Sequence, residues 1–215
     1  MEKKIEVKNI SKTFKSNDLL KNVNMVFESH RIYGIIGPNG SGKSVLMKMI
    51  CGLLAPDSGE VWFCGQRVYK DINVLPECGI IINKPAFFED MNGFDNLMLF
   101  AKLTGKADKK RVEEVLELVE LANDHKHVKN YSLGMLQRLG IAQAILENPD
   151  ILILDEVTNA LDESGIEMVY KLLKTERDLG KIIIITSHNK QDIDELCDGV
   201  FKINRGTIEY ENKNN

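Results

Sequence analysis

Apolar positions recur every second residue near the start of the chain. Ile5 and Val7 stand between charged neighbours, and Val23, Met25 and Phe27 keep the same spacing. A period of two marks strands with one buried face, so this stretch is expected to form antiparallel β-structure. Arg31 to Ile36 is a third strand that runs into a glycine-rich turn. Residues 42–52 then take helical spacing, with Val45, Leu46, Met49 and Ile50 as the apolar positions. Ala55-Pro56-Asp57-Ser58-Gly59 is a turn, and Glu60 to Phe63 and Gly79 to Ile82 are further strands.

The period lengthens between Phe94 and Leu146. Val112, Val115, Leu116, Val119 and Ala122 fall on one helical face, with Glu113, Glu114, Glu117 and Glu120 mostly on the other. Those glutamates are read as a solvated face. Strands then return. Ile151 to Leu154 and Ile182 to Ile185 are short, wholly apolar and flanked by helical stretches, the pattern of parallel strands buried on both faces. The expectation is a single α/β domain, 1–215. Its parallel-sheet core spans about 1–85 and 147–215, with an antiparallel β lobe at the N-terminus and a helical insertion at about 86–146. The polar tail, Glu211 to Asn215, is expected to fray.

Composition narrows the class without naming a function. Hydrophobic residues make up 43% and charged residues 28%, ordinary values for a globular chain that excludes collagen-like and wholly disordered classes. The 28 basic residues against 32 acidic ones leave a net charge of −4, which argues against a main task of gripping nucleic acid. The opening Met1-Glu2-Lys3-Lys4 leads into alternation and not into an apolar run, so no export signal is expected. No stretch approaches the roughly 20 apolar residues of a membrane helix. Cys51, Cys64, Cys78 and Cys197 lack zinc or redox-motif spacing and are expected to be reduced thiols.

The chemistry concentrates in three places. Gly37-Pro38-Asn39-Gly40-Ser41-Gly42-Lys43-Ser44 matches G-x-x-x-x-G-K-[ST] between an apolar strand and a helix. The glycines let successive backbone N–H groups turn toward an anion, and the helix N-terminus adds partial positive charge. Lys43 would neutralise the β- and γ-phosphates of a nucleotide, and the Ser44 hydroxyl would ligate Mg²⁺. The strand Ile151 to Leu154 ends in Asp155 and Glu156. Phosphate-loop ATPases place a metal-linked aspartate at such a strand end, so Asp155 is assigned to the Mg²⁺ shell and Glu156 to the catalytic water. His188 follows the next apolar strand, at the same sheet edge, where it is positioned to contact the γ-phosphate or that water.

Taken together, these residues resemble the nucleotide-binding subunit of ATP-binding cassette (ABC) transporters, over nearly the whole chain. In that family a segment of pattern L-S-G-G-Q opens a helix shortly before the acidic strand. Here Tyr131-Ser132-Leu133-Gly134-Met135-Leu136-Gln137-Arg138 takes that place, 23 residues before Asp155. Ser132 and Gly134 match, while Leu133 stands for the first glycine and Met135 for the glutamine. The variant is similar to the branch of bacterial peptide-antibiotic resistance and lantibiotic-immunity exporters. The stretch Val157 to Asp162 resembles the family's segment after the catalytic glutamate, with Asp162 at a dimer seam. Phe14, 29 residues before Lys43, fits the aromatic ring that stacks on adenine, a contact worth ~1–3 kcal/mol. In the loop Ile82-Asn83-Lys84-Pro85, Asn83 stands where the family has a glutamine near Mg²⁺ and the water.

The resemblance implies a P-loop NTPase core that hydrolyses ATP with Mg²⁺. It implies head-to-tail pairing, of two identical copies or with a related ATPase, each ATP lying between one phosphate loop and the partner's segment Ser132, Leu133, Gly134, Met135. It further implies separate membrane-spanning permease subunits, docked near Phe87 to Phe94, a place on the inner face of the cell membrane, and transport in the export direction. No nucleic acid partner is expected. The alternative left open is an ABC-type ATPase that acts on a partner outside the membrane.

Overall fold

The computed structural model describes residues 3–14, 17–83 and 85–213, so Lys84 of the Ile82–Pro85 loop lies outside the described residues. Strand β1 (Lys4–Phe14) pairs antiparallel with β2 (Asn17–Glu28). Their buried face carries Ile5, Val7 and Ile10 from β1 and Leu20, Val23, Met25 and Phe27 from β2. The spacing of two breaks between Val7 and Ile10 and between Leu20 and Val23. Asn9 and Asn22 sit at those breaks with φ of 53° and 52°, a left-handed conformation that asparagine tolerates. The added residue kinks the ladder and keeps the apolar set facing inward on both sides of it. Strands β4 (Ser58–Phe63) and β5 (Gln66–Arg67) complete a sheet of order β2-β1-β4-β5; β5 has no clear apolar pattern in the sequence.

The second sheet holds β3 (Arg31–Ile36), β6 (Cys78–Ile81), β7 (Ile151–Asp155), β8 (Ile182–Thr186), β9 (Gly199–Asn204) and β10 (Thr207–Asn212). Its order is β10-β9-β3-β8-β7-β6, parallel except for β10. The isoleucine and leucine runs divide by parity. Ile151, Ile153, Ile182 and Ile184 pack with β1, β2 and helix α1 (Lys43–Cys51). Leu152, Leu154, Ile183 and Ile185 pack with residues of α2 (Gly93–Thr104), α3 (Lys109–Leu118), α4 (Leu133–Ile145), α5 (Glu163–Asp178) and α6 (Lys190–Leu196). Two buried faces are why these strands have no polar alternation.

The helical stretch holds separate helices, each opened by a side-chain cap: Asn92, Asp108 and Ser132 accept from the backbone N–H three residues on. Two details depart from the sequence reading. Helix α3 ends at Leu118, so Ala122 lies outside it and is exposed, and Leu121 takes the buried place. Glu211 and Asn212 do not fray. They close β10 opposite Val200 and Gly199, and Tyr210 of the same strand packs over Phe201 at 4.7 Å between ring centroids. Ile208 and Tyr210 are the apolar positions that anchor this otherwise polar edge strand, too few to stand out in a sequence pattern. Asn214 and Asn215 lie outside the described residues. Among the described residues no helix is long and apolar enough to cross a membrane.

Candidate nucleotide site

The carboxyl ends of β3, β7 and β8 lie side by side, and parallel sheets collect their ligands at that edge. After β3 the chain turns through Gly37 to Gly42 into α1. Gly40 and Gly42 take φ of 75° and 100°, a region that a side chain would strain. Asn39 and Gly40 are exposed at the tip, and the Ser41 N–H donates to the Pro38 carbonyl at 3.1 Å. Lys43 is only 7% exposed; its Nζ donates to the carbonyls of Gly37 at 2.9 Å and Pro38 at 3.3 Å. The ammonium group is thus folded back over the loop, inside the ring of backbone that a phosphate would enter. The Ser41 hydroxyl is buried there with no hydrogen-bond partner. A buried polar atom left alone costs about 1–3 kcal/mol, so this one fits an anion acceptor.

From α1 the Ser44 hydroxyl donates to Asp155 Oδ2 at 2.6 Å. Thr186, which pairs with Asp155 across the ladder, donates to the other carboxylate oxygen. Hydroxyl and carboxylate oxygens converging beside a phosphate loop form the hard donor set that suits Mg²⁺. Among the described residues no group of three His, Cys, Asp or Glu could hold a metal. Mg²⁺ usually takes one or two protein oxygens and draws the rest from phosphates and water, so the two-residue set fits that habit.

Glu156 follows with φ of 51°, a left-handed conformation costly for a residue with a long side chain. Its N–H is held by the Thr186 carbonyl at 3.2 Å and hydroxyl at 3.0 Å. One carboxylate oxygen meets His188 Nε2 at 2.8 Å, and the other accepts from the Asn159 amide. Lys43, Ser44, Asp155, Glu156 and His188 therefore share one edge of the sheet. Thr186 and Asn159 complete the constellation, and sequence reasoning had given them no role. The register of two adjacent apolar strands was the signal that would have found Thr186.

The Ser132 segment stands apart from the phosphate loop. Ser132 caps α4, accepting from the Met135 N–H at 3.2 Å, and Leu133 is 63% exposed. Gly134 passes the Ala160 carbonyl so closely that a Cβ would stand 2.9 Å from it. Arg138 of α4 pairs with Glu120 and with Asp162. The Gly165 N–H, then Ser164 and Arg138, hold the exposed Asp162 carboxyl below the usual carboxylate range. Ser132, Leu133, Gly134, Met135 and Asp162 line one open cavity of about 770 Å³. Asn83 has φ of 72° and lines a second cavity of about 330 Å³ with Leu133, Asp155 and Glu156. Phosphate-loop residues line neither cavity. Phe14 ends β1 half exposed, with the Lys12 ammonium 5.7 Å from its ring centroid.

The model of the ABC transporter family matches residues 20–159. The chain belongs to that family. The cassette is 41% identical over 210 residues to the uncharacterized ABC transporter ATP-binding protein YybJ of Bacillus subtilis, across 97% of this chain and 96% of that protein. It is 34% identical over 216 residues to the lantibiotic transport ATP-binding protein SrtF of Streptococcus pyogenes, across 98% and 93%. Among solved structures it resembles a dimeric ATP-binding cassette in a post-hydrolysis state bound to ADP and Pi. That match has a TM-score of 0.85 and 25% identity, and covers 98% of this chain and 99% of the other. The likeness to SrtF, by name a lantibiotic transport protein, matches the branch that Tyr131–Arg138 resembles. The cassette is an ATP-binding, ATP-hydrolysing subunit that works with membrane permeases.

Proposed function

We propose that this cassette powers export of a peptide antibiotic through separate membrane subunits, and that it does so as a head-to-tail pair. SrtF is by name a lantibiotic transport protein, and the likeness over nearly both full chains supports the same cargo class here. The observation that carries the pairing is the separation of two half-sites. Lys43, Ser44, Asp155, Glu156 and His188 gather at one sheet edge, while Ser132, Leu133 and Asp162 are exposed and share an open cavity that none of the described phosphate-loop residues lines.

In this reading ATP lies on Gly37 to Ser44 of one copy under Ser132 to Met135 of the other. A two-fold axis makes both sites alike. Phe14 stacks on adenine. Lys43 gives up the loop carbonyls for the β- and γ-phosphate oxygens. Ser44 and Asp155 would hold Mg²⁺, with Asn83 reaching it through water; the ion would draw charge from the transferred phosphoryl group. Glu156 takes a proton from the attacking water, the water oxygen bonds to the γ-phosphorus as the bond from that phosphorus to the bridging oxygen of ADP breaks, and ADP and phosphate leave. His188 donates to Glu156 in the resting site and is placed to donate to a γ-phosphate oxygen. ATP binds the closed pair better than the open one, and that difference does the work.

The cassette sits on the inner face of the membrane. The helical insertion at 86–146 provides the docking ground for the permease, with Phe88 and Met91 exposed beside half-buried Phe87. Purification of the tagged cassette from detergent-solubilised membranes tests the partner. A polytopic membrane protein should co-purify, and replacing Phe88 and Met91 with serine should release it. A cassette that purifies without any membrane protein, and is equally abundant in membrane-free extract, would overturn this reading.

A further inference from the structure

Asp192 is fully buried, and among the described residues its carboxylate makes no ion pair. It accepts hydrogen bonds from three hydroxyl groups that come from three different elements. Thr158 Oγ1 and Ser187 Oγ both reach Oδ2 at 2.5 Å, and the Tyr170 hydroxyl reaches Oδ1 at 2.5 Å. Thr158 and Ser187 are themselves 7% exposed. Burying a carboxylate is expensive unless its lone pairs are filled, and here they are filled by neutral donors alone. The first turn of α6, where Asp192 sits, adds the favourable end of a short helix.

The places these hydroxyls come from give the cluster its meaning. Thr158 is two residues after Glu156, and Ser187 is the residue before His188. One carboxylate oxygen therefore fastens both loops that carry the pair Glu156 and His188, whose side chains meet at 2.8 Å. The first of these loops is strained. Glu156 and Ala160 hold φ of 51° and 65°, and non-glycine residues keep such angles only where their surroundings over-determine them. Val157 is buried, Thr158 is tied to Asp192, and the Ser187 hydroxyl also accepts the Asn189 N–H at 2.9 Å. Tyr170 lies on α5, whose N-terminal cap is Asp162, so the third tie reaches the helix that begins at the exposed seam. Burial, then its bond to Asp192, pushes the Tyr170 phenol above its ordinary range and keeps it a donor.

We infer that Asp192 is a positioning residue for ATP hydrolysis: its buried carboxylate sets the spacing between the Glu156 loop and the His188 loop. The inference rests on the catalytic reading of Glu156 given above. Asp192 touches neither loop's side-chain pair. It acts through Thr158 and Ser187, and among the described residues no hydrogen bond joins it to the phosphate loop, so ATP binding is expected not to pass through it.

The test is single-turnover ATP hydrolysis by the full chain, with ATP affinity measured in parallel, for Asp192→Asn, Glu156→Gln and the double variant. Asp192→Asn keeps the volume but turns donors toward hydroxyls that are already donating. Displacement of reacting groups by ~1 Å costs on the order of 100-fold, so a rate loss of roughly 10- to 100-fold is expected, with ATP affinity within about threefold of wild type. In the Glu156→Gln background the same change should cost less than about threefold, because groups that act as one unit are not additive. If Glu156→Gln is slow but the two losses multiply, or if ATP affinity falls in step with the rate, the tie to Asp192 is refuted alone. If Glu156→Gln hydrolyses at the wild-type rate, the catalytic reading falls and this inference with it. Should Asp192→Asn fail to fold, the pair Thr158→Val and Ser187→Ala removes the same two ties and leaves Tyr170 in place. That variant must lose rate and keep ATP affinity; a wild-type rate refutes the inference.

Discussion

Two serine-glycine turns open helices in this cassette, and they are built in different ways. The Gly37 to Ser44 loop closes on itself: Lys43 is buried over its carbonyls, Ser44 is bonded to Asp155, and the Ser41 hydroxyl waits in the interior. The Ser132 to Met135 turn leaves its leading residues open to solvent. Its serine spends its hydroxyl on the cap of α4, and Leu133 and Asp162 stand 63% and 73% exposed in their respective residue and side chain. A loop that carries its own counter-charge and its own metal-linked acid is organised before any partner arrives. A turn whose functional face is bare gains its role only when something covers it. The contrast assigns ATP capture to the single chain and closure to the pair.

The largest expected effect comes from the acid that joins the two. Glu156→Gln keeps the shape and the Asn159 and His188 neighbours but cannot take a proton, and a general base is worth on the order of 100- to 10,000-fold. The variant should bind ATP, hydrolyse it that much more slowly and accumulate as a dimer, which sizing chromatography with ATP and Mg²⁺ reads directly. A strictly monomeric variant that still binds ATP would break the contrast, since closure would then need more than the pair. Next in size is Lys43→Ala. Loss of the buried Lys43 ammonium should remove a charge-assisted contact to the ATP phosphates of about 1.5–3 kcal/mol, or roughly 10- to 150-fold in affinity. Titration with a fluorescent ATP analogue checks it, and near-normal affinity would end the phosphate-loop assignment.

Ser132→Ala probes the other half. The cap of α4 should cost about 1 kcal/mol of stability, seen as a small drop in melting temperature. ATP affinity of the single copy should stay as it is, while the ATP-driven dimer of Glu156→Gln should weaken. Equal losses of ATP affinity in Ser132→Ala and Lys43→Ala would erase the division between capture and closure.

The phosphate loop and the acidic strand end are legible in the sequence, and Ser132 to Met135 and Asp162 are legible through the family resemblance, but the long-range polar ties around them are not, for a physical reason. The phosphate loop, the strands around it and the acidic strand end are contiguous: each is a run of residues whose neighbours in the chain are its neighbours in space. Asp192 stands in Lys-Gln-Asp-Ile-Asp-Glu, which looks like a charged helix surface, and only its contacts 34, 22 and 5 residues away show a buried hub. Arg138 bridges Glu120 and Asp162 across 18 and 24 residues. The β9–β10 hairpin escaped because β10 is an edge with few apolar positions. Ala122 falls on the buried face only if the helical period of α3 continues past Leu118, where the helix ends. Periodicity reports which side of an element is buried; it does not report where the element stops or which distant polar group meets it.

Asn83 gives the smallest effect and the finest test of the contrast, because it lies in the capture half and lines a cavity with Leu133 of the closure segment. Its φ of 72° supplies a reason for asparagine that has nothing to do with metal. Left-handed backbone costs most residues about 1–2 kcal/mol and costs asparagine less. The shorter amide also reaches about 1.5 Å less far than glutamine, one carbon–carbon bond, which suits a contact through water. Two roles, turn former and amide sensor, are thus merged in one residue, and three variants pull them apart. Asn83→Gly keeps the backbone and deletes the amide. Asn83→Gln restores the reach and strains the backbone. Asn83→Ala does neither well. If the amide senses the γ-phosphate, glycine and alanine should both lower the permease-stimulated ATPase rate by about two- to tenfold, the worth of one hydrogen bond of ~0.5–1.5 kcal/mol, with ATP affinity unchanged. Glutamine should then hydrolyse at least as fast as wild type. If asparagine is there for the turn, glycine should match wild type in rate and stimulation while alanine and glutamine lose thermal stability. Steady-state ATPase of the four proteins, with and without the membrane subunit, separates the outcomes, and a wild-type rate and stimulation in Asn83→Gly would remove the amide from the chemistry.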